Sequence, residues 1–223
     1  MINVEIKEQQ REYSIREAYK SLRTNLQFCG NDKKVITITS SVSGEGKSTV
    51  TLNLAVSLAE SGKKVMIVDA DMRRSVLLGR VAVNSNVKGL SYFLSNQSKL
   101  EEVVCSTNVE NLHIIFSGPV PPNPTELLDS EVFREMLDTL RQTYDYILID
   151  TPPLGSVIDS AIVAKISDGA IFVIQSEAIS YRFACNVKAQ LEKSNCPILG
   201  VVLNKVNILN RGYYSRNYDK YEK

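Results

Sequence analysis

Residues 40–49 read Ser40-Ser41-Val42-Ser43-Gly44-Glu45-Gly46-Lys47-Ser48-Thr49. The apolar run Val35 to Thr39 before them predicts a strand, and Val50 to Glu60 after them predicts a helix starting near Lys47. Strand, glycine turn, Lys-Ser and helix together form the context in which a phosphate loop works. Glycine lacks a Cβ, so the backbone N–H groups of Gly44, Glu45 and Gly46 can wrap a β-phosphate. The positive end of the helix dipole adds to this. Lys47 would reach the β- and γ-phosphates and Ser48 would ligate Mg²⁺. The full pattern asks for glycine at the position of Ser41, which is a departure. The competing reading is a turn that only joins strand to helix.

Outward from the loop, further apolar runs predict strands: Lys64–Asp69, Tyr146–Asp150, Ala170–Ile174, Ile198–Leu203 and a shorter one at Leu112–Phe116. Helix-length segments separate most of them. Near-continuous apolar strands alternating with helices predict an α/β fold, a mostly parallel twisted sheet with helices on both faces. Such sheets bind ligands at the carboxyl ends of their strands. Two strands end there in aspartate, at Asp69-Ala70-Asp71 and at Asp150. Asp150 is expected to anchor the metal. One of Asp69 and Asp71 would accept a proton from a nucleophile while the other supports the metal shell. Their plain alternative is capping of the following helices. Arg73 and Arg74 would stabilise transferred phosphoryl charge or serve as surface charges.

A helical period over Glu12–Phe28 puts Ile15, Ala18, Tyr19, Leu22 and Leu26 on one face. Asn123-Pro124-Thr125-Glu126 predicts a capped helix start after a proline-rich loop. Asn204-Lys205 would contact an adenine base or turn the chain out of its strand. The apolar pattern stops near Asn207, and Tyr213, Tyr214, Tyr218 and Tyr221 crowd the last stretch. Some fifteen extended residues span on the order of 50 Å, enough to reach the chain's own or a neighbour's site.

Composition excludes several classes. The 223 residues fit one domain and are 43% hydrophobic, so a proper core can form. Net charge is +1, which offers no footprint for nucleic acid. Four scattered cysteines and one histidine, His113, make no zinc pattern; His113 reads as a strand surface residue. The charged N-terminus is unlike a signal peptide, and no run is long enough to span a bilayer.

Taken together, Gly44 to Thr49, Val65 to Arg74, Ile147 to Pro153, the loop Ser117 to Leu128 and the tyrosine cluster resemble the bacterial tyrosine kinases (BY-kinases) of capsule and exopolysaccharide assembly, in their stand-alone cytoplasmic type. These motifs stand for that family's Walker A, A-prime, Walker B, proline loop and tail. The resemblance implies a P-loop NTPase fold, with residues 1–206 as the kinase domain and 207–223 as a flexible tail. It implies ATP on Ser43, Gly44, Glu45, Gly46, Lys47, Ser48 and Thr49, and Mg²⁺ on Ser48, Asp71 and Asp150. Asp69 would be the base, with Lys47 holding phosphates, and Tyr213, Tyr214, Tyr218 and Tyr221 would be the acceptors. It also implies a ring-like homo-oligomer, such as an octamer, through Glu17, Lys20 and Arg23 on the first helix. Lys20 departs from the family's arginine and cannot reproduce its bidentate geometry. A transmembrane polysaccharide co-polymerase activator would recruit the chain to the inner face of the membrane, and a tyrosine phosphatase would reverse the modification. The rivals are a ParA/MinD-like ATPase switch and a nucleotide-stabilised scaffold for polysaccharide enzymes. Val42 stands where the switch proteins carry a second lysine, which counts against them.

Overall fold

Strands buried on both faces decide the layering. The computed structural model describes residues 2–6, 13–83 and 87–206. In chain order these form β1 (Ile2–Ile6), α1 (Tyr13–Phe28), β2 (Val35–Ser40), α2 (Lys47–Glu60), β3 (Val65–Asp69), a 3₁₀ turn (Leu78–Arg80), β4 (Val81–Val83), α3 (Leu90–Leu94), α4 (Leu100–Val103), β5 (Val104–Thr107), β6 (Leu112–Ile115), α5 (Pro124–Leu128), α6 (Glu131–Thr143), β7 (Tyr146–Asp150), α7 (Asp159–Lys165), β8 (Gly169–Gln175), α8 (Tyr181–Glu192) and β9 (Ile198–Asn204). The strands make one sheet ordered β4-β1-β5-β6-β3-β7-β2-β8-β9. The block from β6 to β9 is parallel throughout. β5 runs antiparallel to β6, and β4 antiparallel to β1.

Alternation sends successive residues of one strand into two different cores. Val65 and Ile67 of β3 join Leu148 of β7 and Leu54 and Leu58 of α2 on one face. Met66, Val68, Ile147 and Ile149 join Phe133, Met136, Leu137 and Leu140 of α6 on the other. α2 is buried around nearly its whole circumference, which explains why it lacks an amphipathic pattern. Truncating Leu54 or Leu58, both fully buried, to alanine would cost roughly 2–5 kcal/mol.

The fold expected from the sequence is the one observed, with three additions. β1, β4 and β5 extend the sheet beyond β6. β1 alternates inward Val4 and Ile6 with exposed Asn3 and Glu5, a period-two signal in a short segment. β4 is only three residues long, and its sheet partner among the described residues is β1. On α1 the expected apolar stripe is only partly covered: Leu26 is buried, Tyr19 and Leu22 pack partly, and Ile15 is exposed. His113 is half-buried rather than a free surface residue, its ring edge-on to Tyr144 at 5.6 Å. Asn123 sits at the cap position of α5 with Pro124 first in the helix, yet its side chain makes no capping bond. The proposed tail 207–223 and its tyrosines lie outside the described residues.

Candidate active site

β2 ends at Ser40 and α2 starts at Lys47, so the intervening loop must reverse within six residues. Gly44 (φ 89°) and Gly46 (φ 92°) supply the left-handed backbone this requires. A Cβ on Gly46 would stand 2.1 Å from Asn204 Nδ2, so the position has no room for a side chain either. Ser41, by contrast, is not among the residues of positive φ, which is why it can stand at the first glycine position of the pattern.

Glu45 holds the loop closed. Its Oε2 accepts from the N–H groups of Ser41 (2.6 Å) and Val42 (2.9 Å), and its Oε1 from Gln175 N–H (3.2 Å). The end of β9 braces the same loop. Asn204 Nδ2 donates to the Glu45 carbonyl (2.8 Å) and Lys205 Nζ to the Gly44 carbonyl (2.7 Å). The turn expected at Asn204-Lys205 is present, since β9 ends at Asn204 and Lys205 takes a left-handed backbone (φ 55°); the two side chains also bond to the loop backbone.

The carboxylates arrive by register. β3 and β7 pair so that Asp69 lies directly beside Asp150, and both are buried. Asp71 follows just past the strand, its N–H donating to Asp69 Oδ1 (3.2 Å). Lys47 reaches across from α2, with Nζ 3.0 Å from Asp71 Oδ2 and 3.7 Å from Asp150 Oδ1. The expected Lys47, Ser48, Asp69, Asp71 and Asp150 are thus brought together. Burial opposes the Lys47 charge, but Asp150 and Asp71 outweigh it and raise its pKa. Burial, then the Asp150 charge, pushes Asp69 up to about 7 against the opposing bond from Ser75. Burial likewise raises Asp150, with Lys47 pulling the other way. This is the environment in which a carboxylate becomes a usable proton acceptor near neutral pH.

The residues fit a divalent cation. Asp150 Oδ1 is buried and has no hydrogen-bond partner, an acceptor turned toward the only nearby cationic group named above, Lys47. Among the described residues no three His, Cys, Asp or Glu side chains gather to hold a metal by themselves. Mg²⁺ fits such a sparse set, because it keeps several waters and shares phosphate oxygens. Ser48 Oγ lies at the same place, 3.4 Å from Lys47 Nζ. A cleft of about 400 Å³ opens here between Ser43, Gly44, Thr49, Arg73, Arg74 and Arg80.

Arg73 is tied down, which the sequence did not foretell. Its guanidinium grips buried Asp159 at 2.7 and 3.2 Å and donates to Thr125 Oγ1 at 2.8 Å. Thr125 also donates to Asp159 Oδ1 (2.9 Å), so this triad joins the loop after β3 to α5 and α7. The first-helix residues are divided. Glu17 and Lys20 pair with each other at 2.7 Å on the exposed face. Arg23 donates to the Ser57 carbonyl of α2 at 2.6 Å, an engagement within the subunit.

Comparison with known proteins gives concordant results. A family model described as an AAA domain matches residues 33–194. The chain is 43% identical over 206 residues to the tyrosine-protein kinase CpsD of Streptococcus agalactiae, covering 92% of this chain and 90% of that one. The crystal structure of the chimerical protein CapA2B2 is similar with a TM-score of 0.82 at 34% identity, covering 92% of this chain and 94% of that one. The septum site-determining protein MinD of Pyrococcus horikoshii OT3, complexed with Mg-ADP, has a TM-score of 0.63 at 32% identity, covering 76% of this chain and 69% of that one.

Proposed function

The chain belongs to the bacterial tyrosine-protein kinases, and from that premise we propose that it transfers the γ-phosphoryl group of MgATP to its own tyrosines Tyr213, Tyr214, Tyr218 and Tyr221. The observation that carries this reading is the register of β3 and β7, which sets Asp69 directly beside Asp150 and so supports taking the first as the proton acceptor and the second as the metal anchor.

A tyrosine hydroxyl titrates near 10, so its proton must leave as the phosphoryl group arrives. The tyrosine oxygen forms the new O–P bond, the bond from the γ-phosphorus to the β–γ bridging oxygen breaks, and the proton passes to the Asp69 carboxylate. Lys47 and the loop N–H groups hold the phosphates and stabilise the charge on the leaving diphosphate. Ser48, Asp71 and Asp150 would hold Mg²⁺, which when bound neutralises phosphate charge. Lys47 now bridges Asp71 and Asp150, so it would give up part of that contact to nucleotide and metal.

Transfer runs between neighbouring subunits of a ring formed through Glu17, Lys20 and Arg23. Each tail phosphate adds nearly two negative charges and favours dissociation. The modification regulates polymerisation and export of a capsular or exopolysaccharide, with a transmembrane co-polymerase activating the kinase and a phosphatase resetting it. The family resemblance supports these last steps. Among the described residues no helix is long and apolar enough to cross a membrane, so a membrane partner would supply that attachment.

The test is to incubate the purified chain with MgATP, with and without candidate activator segments, and map phosphate by mass spectrometry. Phosphate on the tail is expected, lost in Lys47→Met and in a variant with phenylalanine at the four tail tyrosines. ATP hydrolysed without phosphotyrosine, with a verified activator bound, would favour the ATPase switch that the MinD-like fold also permits. Sizing the chain before and after ATP tests the ring: a mass that does not fall after phosphorylation rules out regulated dissociation.

A further inference from the structure

Ser75 lies outside every motif named above. It sits six residues past Asp69, half-buried, on the loop between β3 and β4. Its Oγ is bonded on two sides. Leu77 N–H donates to it at 3.2 Å, and Ser75 Oγ donates to Asp69 Oδ2. Leu77 is fully buried in the core beneath α2, so its N–H is held in place by packing. With a backbone donor occupying a lone pair of the hydroxyl oxygen, the hydroxyl proton is free to be given to Asp69, whose carboxylate can only accept. The other Asp69 oxygen accepts from Asp71 N–H, and Asp71 Oδ1 accepts in turn from Arg74 N–H at 3.0 Å. The loop therefore closes on itself through side chains, and Ser75 is its one hydroxyl contact on Asp69.

We propose that Ser75 is a positioning residue for phosphoryl transfer: its hydroxyl, locked by the Leu77 N–H, orients the Asp69 carboxylate so that a lone pair faces the incoming acceptor. The proposal rests on the reading of Asp69 as the base. A carboxylate held by a single N–H can rotate about χ2, whereas one held at both oxygens cannot. Proton transfer is sensitive to such alignment. Ser75 touches neither nucleotide nor acceptor in this scheme, so its loss should slow the chemical step and spare binding.

The experiment follows total γ-phosphoryl loss from radiolabelled ATP, counting phosphotyrosine and free phosphate separately. The chains compared are wild type, Ser75→Ala, Ser75→Thr, Asp69→Asn and the Ser75→Ala/Asp69→Asn double variant, all checked for folding by thermal melting. Expected are a fall in kcat of about tenfold for Ser75→Ala with the ATP KM within about twofold, and recovery of most of the rate in Ser75→Thr. In the Asp69→Asn background, adding Ser75→Ala should change the rate by less than about twofold, because the residue acts through Asp69. A kcat for Ser75→Ala near wild type overturns the proposal, as does a full tenfold loss that persists without Asp69 or that Ser75→Thr fails to restore. Free phosphate released with no phosphotyrosine would instead defeat the acceptor assignment, and the same cycle on phosphate release would still decide the role of Ser75. Independently of turnover, a crystal structure of Ser75→Ala should show the Asp69 carboxylate rotated or spread over two orientations. An unchanged carboxylate overturns the proposal.

Discussion

Glu45 in the phosphate loop and the pair Asp69–Asp150 at the ends of β3 and β7 are all buried carboxylates, and the fold treats the loop and the pair differently. Glu45 is saturated: both oxygens accept backbone N–H bonds, from Ser41, Val42 and Gln175. Asp69 and Asp150 are set beside each other by strand register, and Asp150 Oδ1 has no hydrogen-bond partner. A buried charge whose hydrogen bonds are complete holds a shape. Asp150, left short of a partner, is open to a ligand, and Asp69, bonded at both oxygens but set beside a second buried carboxylate, is open to a proton. The loop is therefore built to be rigid, and the carboxylate pair is built to change state.

The largest expected effect is at Lys47, the cation that bridges Asp71 and Asp150. Lys47→Met should lower phosphotransfer by about three orders of magnitude or more, because the charge on the transferring group loses its positioned ammonium. A rate assay under saturating MgATP measures it. A loss below tenfold would mean that Lys47 mainly balances Asp71 and Asp150 rather than holding phosphate.

Substitution of the two carboxylate types should move stability in opposite directions. Asp69 binds its proton more tightly folded than unfolded, since its folded value is about 7 against an ordinary 3.8. Its contribution is then fully present below the unfolded value and drains away as pH rises toward 7. Asp69→Asn removes that loss, by about 4 kcal/mol at most. The nucleotide-free variant should melt several degrees above wild type at pH 8, with the gap narrowing steadily toward pH 5. A gap independent of pH would mean that Asp69 is not strained by its charge.

Glu45→Ala should act the other way, costing about 3 kcal/mol by stripping acceptors from buried N–H groups. Melting by calorimetry should show a fall of roughly 6–12 °C. An unchanged melting temperature would erase the distinction between Glu45 and the Asp69–Asp150 pair.

The smallest effect belongs to the exposed helix pair. Glu17→Ala breaks a surface ion pair with Lys20 and should cost under about 0.5 kcal/mol. If the ring forms through this face, the variant should sediment as a smaller species at an almost unchanged melting temperature. Retention of wild-type mass would remove Glu17 from the interface.

Much of this was legible along the chain. The phosphate loop could be read because glycine backbone freedom and a Lys-Ser helix start are local demands. β2, β3, β7 and most of β8 were readable because strands covered on both faces must be apolar at nearly every position, and β9 was readable as an apolar run although it stands at the sheet edge with Val201 and Leu203 exposed. β4 was not legible, since three residues carry no period and its pairing depends on β1. Ser75 was hidden for a different reason: a serine six residues from an aspartate has no periodic relation to it, and only the turn of the loop brings them together. Arg73 looked free to meet phosphate because its partner Asp159 lies far along the chain, at the start of α7.

The sequence by itself determined which chemical groups are available and where the backbone must bend, because those properties depend on neighbours along the chain. The tertiary structure alone decided which groups stand together. Asp69 meets Asp150 only through the β3–β7 register, Glu45 meets Gln175 only because β8 lies beside β2, and Lys47 spans two carboxylates only because α2 packs over both strands. Hydrogen bonding and charge act over a few ångströms, and packing sets those distances between segments far apart in sequence.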